Sequence, residues 1–275
     1  MPQYLVLPEN IANNKFIIKD SEEFNHLTRV LRVKEGEKIV LFDGAGRQYK
    51  AKIEALEKDS ISGAVLEETV SQKRKYTVNL YPALINADRF EMLLEKATEL
   101  GVDSITPVIT EHTVIKVSQE KIQSKMLRWQ KIMVSAAKQC MIPFIPQVLP
   151  AGKFMDLIQK TDKTALNIIA YESEPTENSL KKLLTTYQLT NLSTINLFLG
   201  PEGGYTEKEI ELAKYNGLKT FSLGKNVLRA ETAAIACLSI IHSELSNAPL
   251  DSSQVHHVLN DHNLSGGHLK TESFR

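Results

Sequence analysis

Apolar and polar positions first come in short runs. Tyr4–Pro8, Lys15–Lys19, Lys38–Gly44, Gln48–Leu56 and Ser60–Glu68 each read as a strand bounded by turn-type residues. Alternation is clearest at Tyr49, Ala51 and Ile53. One helix interrupts them, predicted from Glu22 to Leu31 with Ser21 as its cap. Short strands with a single helix predict a small β-barrel. The polar run Ser71–Lys75 then reads as a linker.

From Tyr76 the period changes. Strands are predicted at 77–84, 104–109, 145–149, 165–171, 195–200 and 219–224. Helices are predicted near 89–100, 119–140, 152–160, 177–188, 206–216 and 231–246. In the first of these, Phe90, Leu93, Leu94, Ala97 and Leu100 share one face, and Gly101 follows as a C-terminal stop. Strand alternating with helix predicts a parallel sheet covered on both faces, an α/β fold. The expected division is 1–72 for the barrel, 73–246 for the α/β part, and 247–275 as a polar, disordered tail.

The 275 residues are 42% hydrophobic and 24% charged, an ordinary globular composition. That excludes collagen-like, disordered and disulfide-scaffold classes. No apolar run approaches the ~20 residues needed to span a bilayer. The start MPQYLVLPEN has neither a basic region nor a long apolar core, so a cytoplasmic protein without signal peptide is expected. Cys140 and Cys237 are too far apart to suggest a metal knuckle, and four of the seven histidines fall in the tail without ligand spacing, so no metal site is expected. The 33 basic and 33 acidic residues cancel, which argues against a nucleic-acid partner. The cancellation is uneven, however. Residues 1–153 carry 22 basic and 19 acidic side chains (22 − 19 = +3), and residues 154–275 carry 11 and 14 (11 − 14 = −3).

Four segments could carry chemistry. In Asn196–Ala213 a buried strand runs into GPEGG (Gly200–Gly204), and a helix follows with Thr206 and Glu209 as a capping box. Glycines there let backbone N–H groups approach a ligand, and a strand end is where open α/β sheets bind ligands. Glu202 suits a cation better than a phosphate; the plainer reading is a tight turn. In Ser222–Ile241 a second strand ends in Gly224 before an apolar helix whose first turn holds Arg229, Glu231 and Thr232. Two glycine loops ending late strands predict a two-sided pocket. His26, Arg29 and Arg32 fall on a helical stripe, with Arg47 and Lys50 on the hairpin after DGAG. On the helix 121–140, Lys121, Lys125, Arg128, Lys131 and Lys138 flank an apolar arc running from Ile122 to Cys140. Both basic stripes read either as solvated surface or as contacts to an RNA backbone.

HLTRVLR, DGAGRQY, EKATELGVDSITPVITEHTV, the RWQKI…AAKQC helix, FLGPEGGYTEKEI and LGKNVLRAETAA occur in the order found in the RsmE family, which this chain resembles over about residues 1–245. These are bacterial 16S ribosomal RNA uridine-N3 methyltransferases of the SPOUT superfamily. The resemblance implies an N-terminal PUA-like barrel, a C-terminal α/β domain with a trefoil knot, and a homodimer acting on 16S rRNA within the small ribosomal subunit. It implies S-adenosyl-L-methionine as cofactor, held by Ala170, Tyr171 and Glu172, by Leu199, Gly200, Pro201, Glu202 and Gly203, and by Leu223, Gly224, Val227 and Leu228. Arg229, Glu231 and Thr232 match the catalytic element, and His26, Arg29, Arg32, Arg47, Lys125 and Arg128 would meet RNA. One site departs: after the long helix the family commonly has Gly-Arg, and here Met141-Ile142 stand. The rival readings are a related methyltransferase acting on another RNA or base atom, and a non-catalytic RNA-binding assembly factor.

Overall fold

The stretch with the clearest alternation becomes the spine of a sheet. A computed structural model describes residues 3–113, 119–187 and 194–246. Strands β1 (Gln3–Leu5), β2 (Ile11–Ala12), β3 (Lys15–Ile18), β4 (Lys38–Phe42), β5 (Arg47–Leu56) and β6 (Ile61–Val70) pair in the order β1-β4-β5-β6-β3-β2. All pairs are antiparallel except β1 with β4. Tyr49, Ala51 and Ile53 point inward with Phe16, Ile18 and Leu41, while Lys50, Lys52 and Glu54 face water. Register shifts after Lys50 and Ile53 bend β5. At the bend Gly63 is obligatory, because a Cβ there would stand 2.0 Å from the Lys52 carbonyl oxygen.

The helix of this unit differs from expectation. Its cap is Asp20, whose carboxylate accepts from the Glu22 and Glu23 amides, so α1 (Ser21–Asn25) begins at the serine expected to cap it. A π-helical turn over His26–Val30 follows, and Arg32 leaves the helix at φ +55°. The π turn drives Leu27 fully into the sheet core and breaks the α-helical stripe expected of His26, Arg29 and Arg32.

The second unit contains β7 (Thr77–Pro82), α2 (Ala87–Glu99), β8 (Ser104–Ile105), β9 (Val108–Ile109) and α3 (Gln119–Cys140). It continues through β10 (Gln147–Val148), β11 (Gly152–Lys153), α4 (Phe154–Lys160), β12 (Leu166–Ala170), α5 (Leu180–Thr186) and β13 (Thr194–Leu199). It closes with α6 (Glu207–Tyr215), β14 (Lys219–Phe221) and α7 (Ala230–Ser246). Six strands form a parallel sheet in the order β10-β8-β7-β13-β12-β14, and β9 pairs with β11 beside it. Pro107 divides the single strand expected at 104–109. Ile195, Leu197 and Leu199 face the core beneath α2, α3, α5 and α7, whereas Phe198 faces the one beneath α4 and α6. The apolar arc of α3 is core: Ile122, Trp129, Met133, Ala136 and Ala137 are buried.

A row of polar side chains crosses this sheet. Ser104 Oγ donates to Asn79 Oδ1 (2.8 Å), Asn79 Nδ2 to Asn196 Oδ1 (2.9 Å), and Asn196 Nδ2 to Asn167 Oδ1 (2.7 Å). These residues are also register partners: Asn79 with Ser104, Asn196 with Asn79, and Asn167 with Asn196.

The Ser71–Lys75 run is bolted down rather than loose. Arg74 pairs with Asp103 (3.0 Å), donates to the Gly101 carbonyl and contacts the His242 ring, which Tyr76 also reaches through its hydroxyl (2.8 Å). Burial, then the Arg74 charge, holds the His242 imidazole down to about 4. The two units also meet at the end of α3. Gln3 Nε2 donates to the carbonyls of Ala137 (3.0 Å) and Ile142 (2.8 Å), and the 43–46 turn exchanges backbone bonds with Pro143 and Ile145. Met141 takes φ +63°, the left-handed conformation that favours glycine, although no glycine stands there. The tail at 247–275 lies outside the described residues. Among the described residues, no helix is long and apolar enough to cross a membrane.

Asn196→Ala strands the Asn79 donor and the Asn167 acceptor in the interior, and is expected to cost about 2–5 kcal/mol, read as a lowered urea midpoint. Met141→Gly relieves the left-handed strain and is expected to stabilise by about 1 kcal/mol, read from the same transition.

Candidate functional site: a cleft at three strand ends

Register partners at one level across β13 and β12 bring their carboxyl ends out together. Ala170 is in turn paired with Phe221, so β14 ends beside them. The three loops leaving β12, β13 and β14, with the start of α7, enclose a cleft. Of the twelve positions expected to hold a cofactor, ten line it: Ala170, Tyr171 and Glu172 from the first loop, Leu199, Gly200 and Pro201 from the second, and Leu223, Gly224, Val227 and Leu228 from the third. The strand-end logic was legible because each loop follows an apolar run closed by glycine or a polar residue.

Glu202 and Gly203 do not line it. The Glu202 carboxylate turns outward and pairs with Arg89 in the first turn of α2. The Gly203 carbonyl accepts from His112 Nδ1 (2.9 Å). The loop is further held through Glu209, whose Oε1 accepts from the Glu111 amide (3.0 Å) and whose Oε2 accepts from the Thr206 amide (2.9 Å). That second bond and its reciprocal complete the expected capping box. Sequence reading placed Glu202 toward a cationic ligand; the carboxylate facing the cleft is Glu172 instead. At Gly204, φ is +68°, which favours glycine, and a Cβ would come within 2.8 Å of Glu172 Oε1, so a side chain there would also push that carboxylate aside.

Several lining residues were missed, among them Tyr205, Ser222, Lys225 and Asn226. Tyr205 lies within the quoted GGYTEKEI stretch, yet nothing in its spacing shows that its ring would back the loop, where a Cβ on Gly200 would stand 3.0 Å from it. Its hydroxyl is buried without a partner, and burial, then Glu209, pushes its pKa well above the usual phenol value. Ser222 Oγ accepts from the Gly224 amide (3.1 Å) and shapes the third loop.

Arg229 is exposed between Leu228 and Ala230, both of which line the cleft, and Thr232 is exposed one residue beyond Glu231. Glu231 is 6% exposed, and its Oε2 takes no hydrogen bond. A buried carboxylate oxygen without a donor is costly to hold in a folded chain.

The residues expected to meet RNA are not assembled into one stripe. Arg47 pairs with Glu68, and Arg128 with Glu91 (2.8 Å) beside Lys125 in a small pocket between α2 and α3. Lys131 and Lys138 of the same helix pair with Glu22 (2.6 Å) and Glu23 (2.5 Å) of α1, so part of that basic arc holds the two units together. Arg29 and Arg32 are exposed, while His26 lines a cleft between β1, α1 and α3. Among the described residues no cluster of three potential metal ligands occurs.

Residues 72–242 match the family model of an RNA methyltransferase domain, and residues 18–66 match that of an RNA methyltransferase PUA domain. Fold and cleft thus define the class: a parallel α/β domain of the RNA methyltransferase type carrying a PUA domain. The chain is 32% identical to ribosomal RNA small subunit methyltransferase E of Bacillus subtilis over 80% of its own length and 87% of the relative's. It is 33% identical to that of Synechocystis over 88% and 78% of the two chains. A crystal structure of ribosomal RNA small subunit methyltransferase E from Neisseria gonorrhoeae, bound to S-adenosyl methionine, superposes with a TM-score of 0.78 at 30% identity, covering 89% of this chain and 98% of the other. The chain belongs to the ribosomal RNA small subunit methyltransferase E family.

Arg89→Ala releases Glu202 and is expected to raise amide hydrogen exchange at residues 202–204. Global stability should fall by less than about 1 kcal/mol, since the pair is largely exposed.

Proposed function

We propose that this protein transfers a methyl group from S-adenosylmethionine to N3 of a uridine in 16S ribosomal RNA. The observation that carries the reading is the three-loop cleft with Arg229 at its lip, in a chain of this family. The cleft suits the cofactor. Leu199, Leu223 and Val227 offer apolar walls, the glycines open backbone groups to a ligand, and the Glu172 carboxylate supplies negative charge for a cationic one. When bound, S-adenosylmethionine supplies an electrophilic methyl group on a sulfonium.

The remaining chemistry falls to the chain. Uridine N3 carries a proton and becomes nucleophilic only when that proton leaves. Glu231 is the base in this reading, its buried carboxylate having an oxygen without a donor. Arg229 stabilises the negative charge spread over O2, N3 and O4 as the proton departs, and Thr232 stands exposed in the same turn. The uracil must be unstacked to enter. Residues 1–72 form the RNA-gripping unit and 73–246 the catalytic one. The working unit in this reading is a cytoplasmic homodimer.

Arg229→Ala is expected to lower turnover by about 100-fold, in the range of lost charge stabilisation, with cofactor affinity within a few-fold. The test is methyl transfer from labelled cofactor to small subunits lacking the modification, with the modified atom mapped. A methyl group on another atom or another RNA, no transfer by the wild type, or equal rates for variant and wild type would each defeat the corresponding part of the proposal.

A further inference from the structure

Lysines without a carboxylate gather at one edge of the parallel sheet. A groove of about 400 Å³ runs along β14, the last strand in the sheet order, between α5 and the end of α6. Lys182 comes to it from α5, Lys214 from the last turn of α6, and Lys219 from β14 itself. All three are exposed, and none pairs with an acid among the described residues. Lys181, next to Lys182 on the same helix, does find one, Glu244 at 3.1 Å. The carboxylate that lines the groove, Glu174, is engaged by Asn178 Nδ2 at 2.6 Å. Residues 154–275 carry 11 basic and 14 acidic side chains. Three uncompensated ammonium groups from three elements therefore stand against the charge of their own half. Nothing in the methyl-transfer reading uses them.

The groove is continuous with the three-loop cleft. Asn178 and Ser179 line the groove, and both are tied to Ser222, which lines the cleft. The Ser222 amide donates to the Asn178 carbonyl (2.9 Å), and Ser179 bridges Ser222 in parallel register. Lys219 stands three residues before Ser222 on the edge strand, a run of about 10 Å at ~3.3 Å per residue. That matches about three steps of a stacked nucleic-acid strand at ~3.4 Å each. At the end of α5 away from Ser179, the Tyr187 ring is 40% exposed and lines the groove, a face on which a base stacks. We propose that this groove is the track for the RNA strand flanking the methylated nucleotide, with Lys182, Lys214 and Lys219 on its phosphates; the proposal rests on the RNA-methylating reading above. A phosphodiester strand brings one negative charge per step, which answers the charge and the length of the groove together. A target base unstacked into the cleft also leaves its own strand at the cleft mouth, and that strand must run on over the adjoining surface. An acidic peptide answers the charge, but nothing leads it from the cleft into the groove.

The test uses the full chain without cofactor and small subunits lacking the modification. Lys182→Gln, Lys214→Gln and Lys219→Gln together are expected to weaken subunit binding by at least about tenfold near physiological salt. The slope of log affinity against log salt should fall by about 2, at ~0.7 per phosphate of a single strand. Single variants, each expected to lower that slope by about 0.7, keep the test decisive if the triple variant fails to fold. Cofactor affinity, read by calorimetry on the protein alone, should stay within about twofold. A control triple, Lys153→Gln, Lys160→Gln and Lys208→Gln, removes the same charge from exposed positions outside the groove, and should cost less than about threefold. Unchanged affinity and slope in the groove variants, or an equal loss in the control, overturns the proposal. A second arm replaces Tyr187 with a photoreactive phenylalanine analogue and irradiates the protein on small subunits. A crosslink to 16S ribosomal RNA is expected. Failure to crosslink RNA, whether or not a ribosomal protein is captured instead, overturns the proposal. Absence of methyl transfer by the wild type would instead defeat the activity on which the proposal rests, without touching the binding and crosslinking measurements.

Discussion

Everything at the cofactor-type cleft depends on the polar row Ser104–Asn79–Asn196–Asn167. Hydrophobic packing between parallel strands tolerates a slip of two residues, because the same face stays buried. A chain of buried and half-buried polar side chains does not, since a slip leaves donors and acceptors without partners on three strands. Asn196 and Asn167 each stand three residues before the end of their strand, so the lock sets Leu199 and Ala170 level. The three loops can then close on one cleft. The row carries no charge and touches no ligand position, yet it decides whether the site exists.

The second constraint is the join between the units. It combines Gln3 bonded to the end of α3, the 43–46 turn bonded to Pro143 and Ile145, and two lysines of α3 paired with acids of α1. The lysine pair closest to the interior is also the one that leaves a buried carboxylate oxygen, Glu23 Oε2, unpartnered. One arrangement therefore serves cohesion between the units at the cost of a buried oxygen without a donor. The basic residues of α3 contribute less free positive charge than their number suggests, because three of them are engaged with carboxylates.

Much of this was legible in advance for a physical reason. Strand and helix periods differ, so the change near Tyr76 and the apolar arc of α3 followed from which positions can share a face. The cleft was legible because glycine loops after buried strands are costly unless the geometry needs them. The side chain of Glu202 was not legible. Its neighbour in space, Arg89, is more than a hundred residues away, and a carboxylate in a loop can turn either way. The π turn at His26–Val30 was equally hidden, since an α pattern and a π pattern differ by one residue over so short a span.

Local period and glycines placed after apolar strands were enough to read two units, a parallel α/β order in the second, and the segments that would supply a ligand cleft. Tertiary structure alone decided which carboxylate faces that cleft, which lysines are spent on acids, and that Glu231 and Glu23 each keep an oxygen without a donor. Those outcomes depend on distances between residues remote in the chain. No local pattern encodes them, because a side chain's partner is set by where the backbone returns.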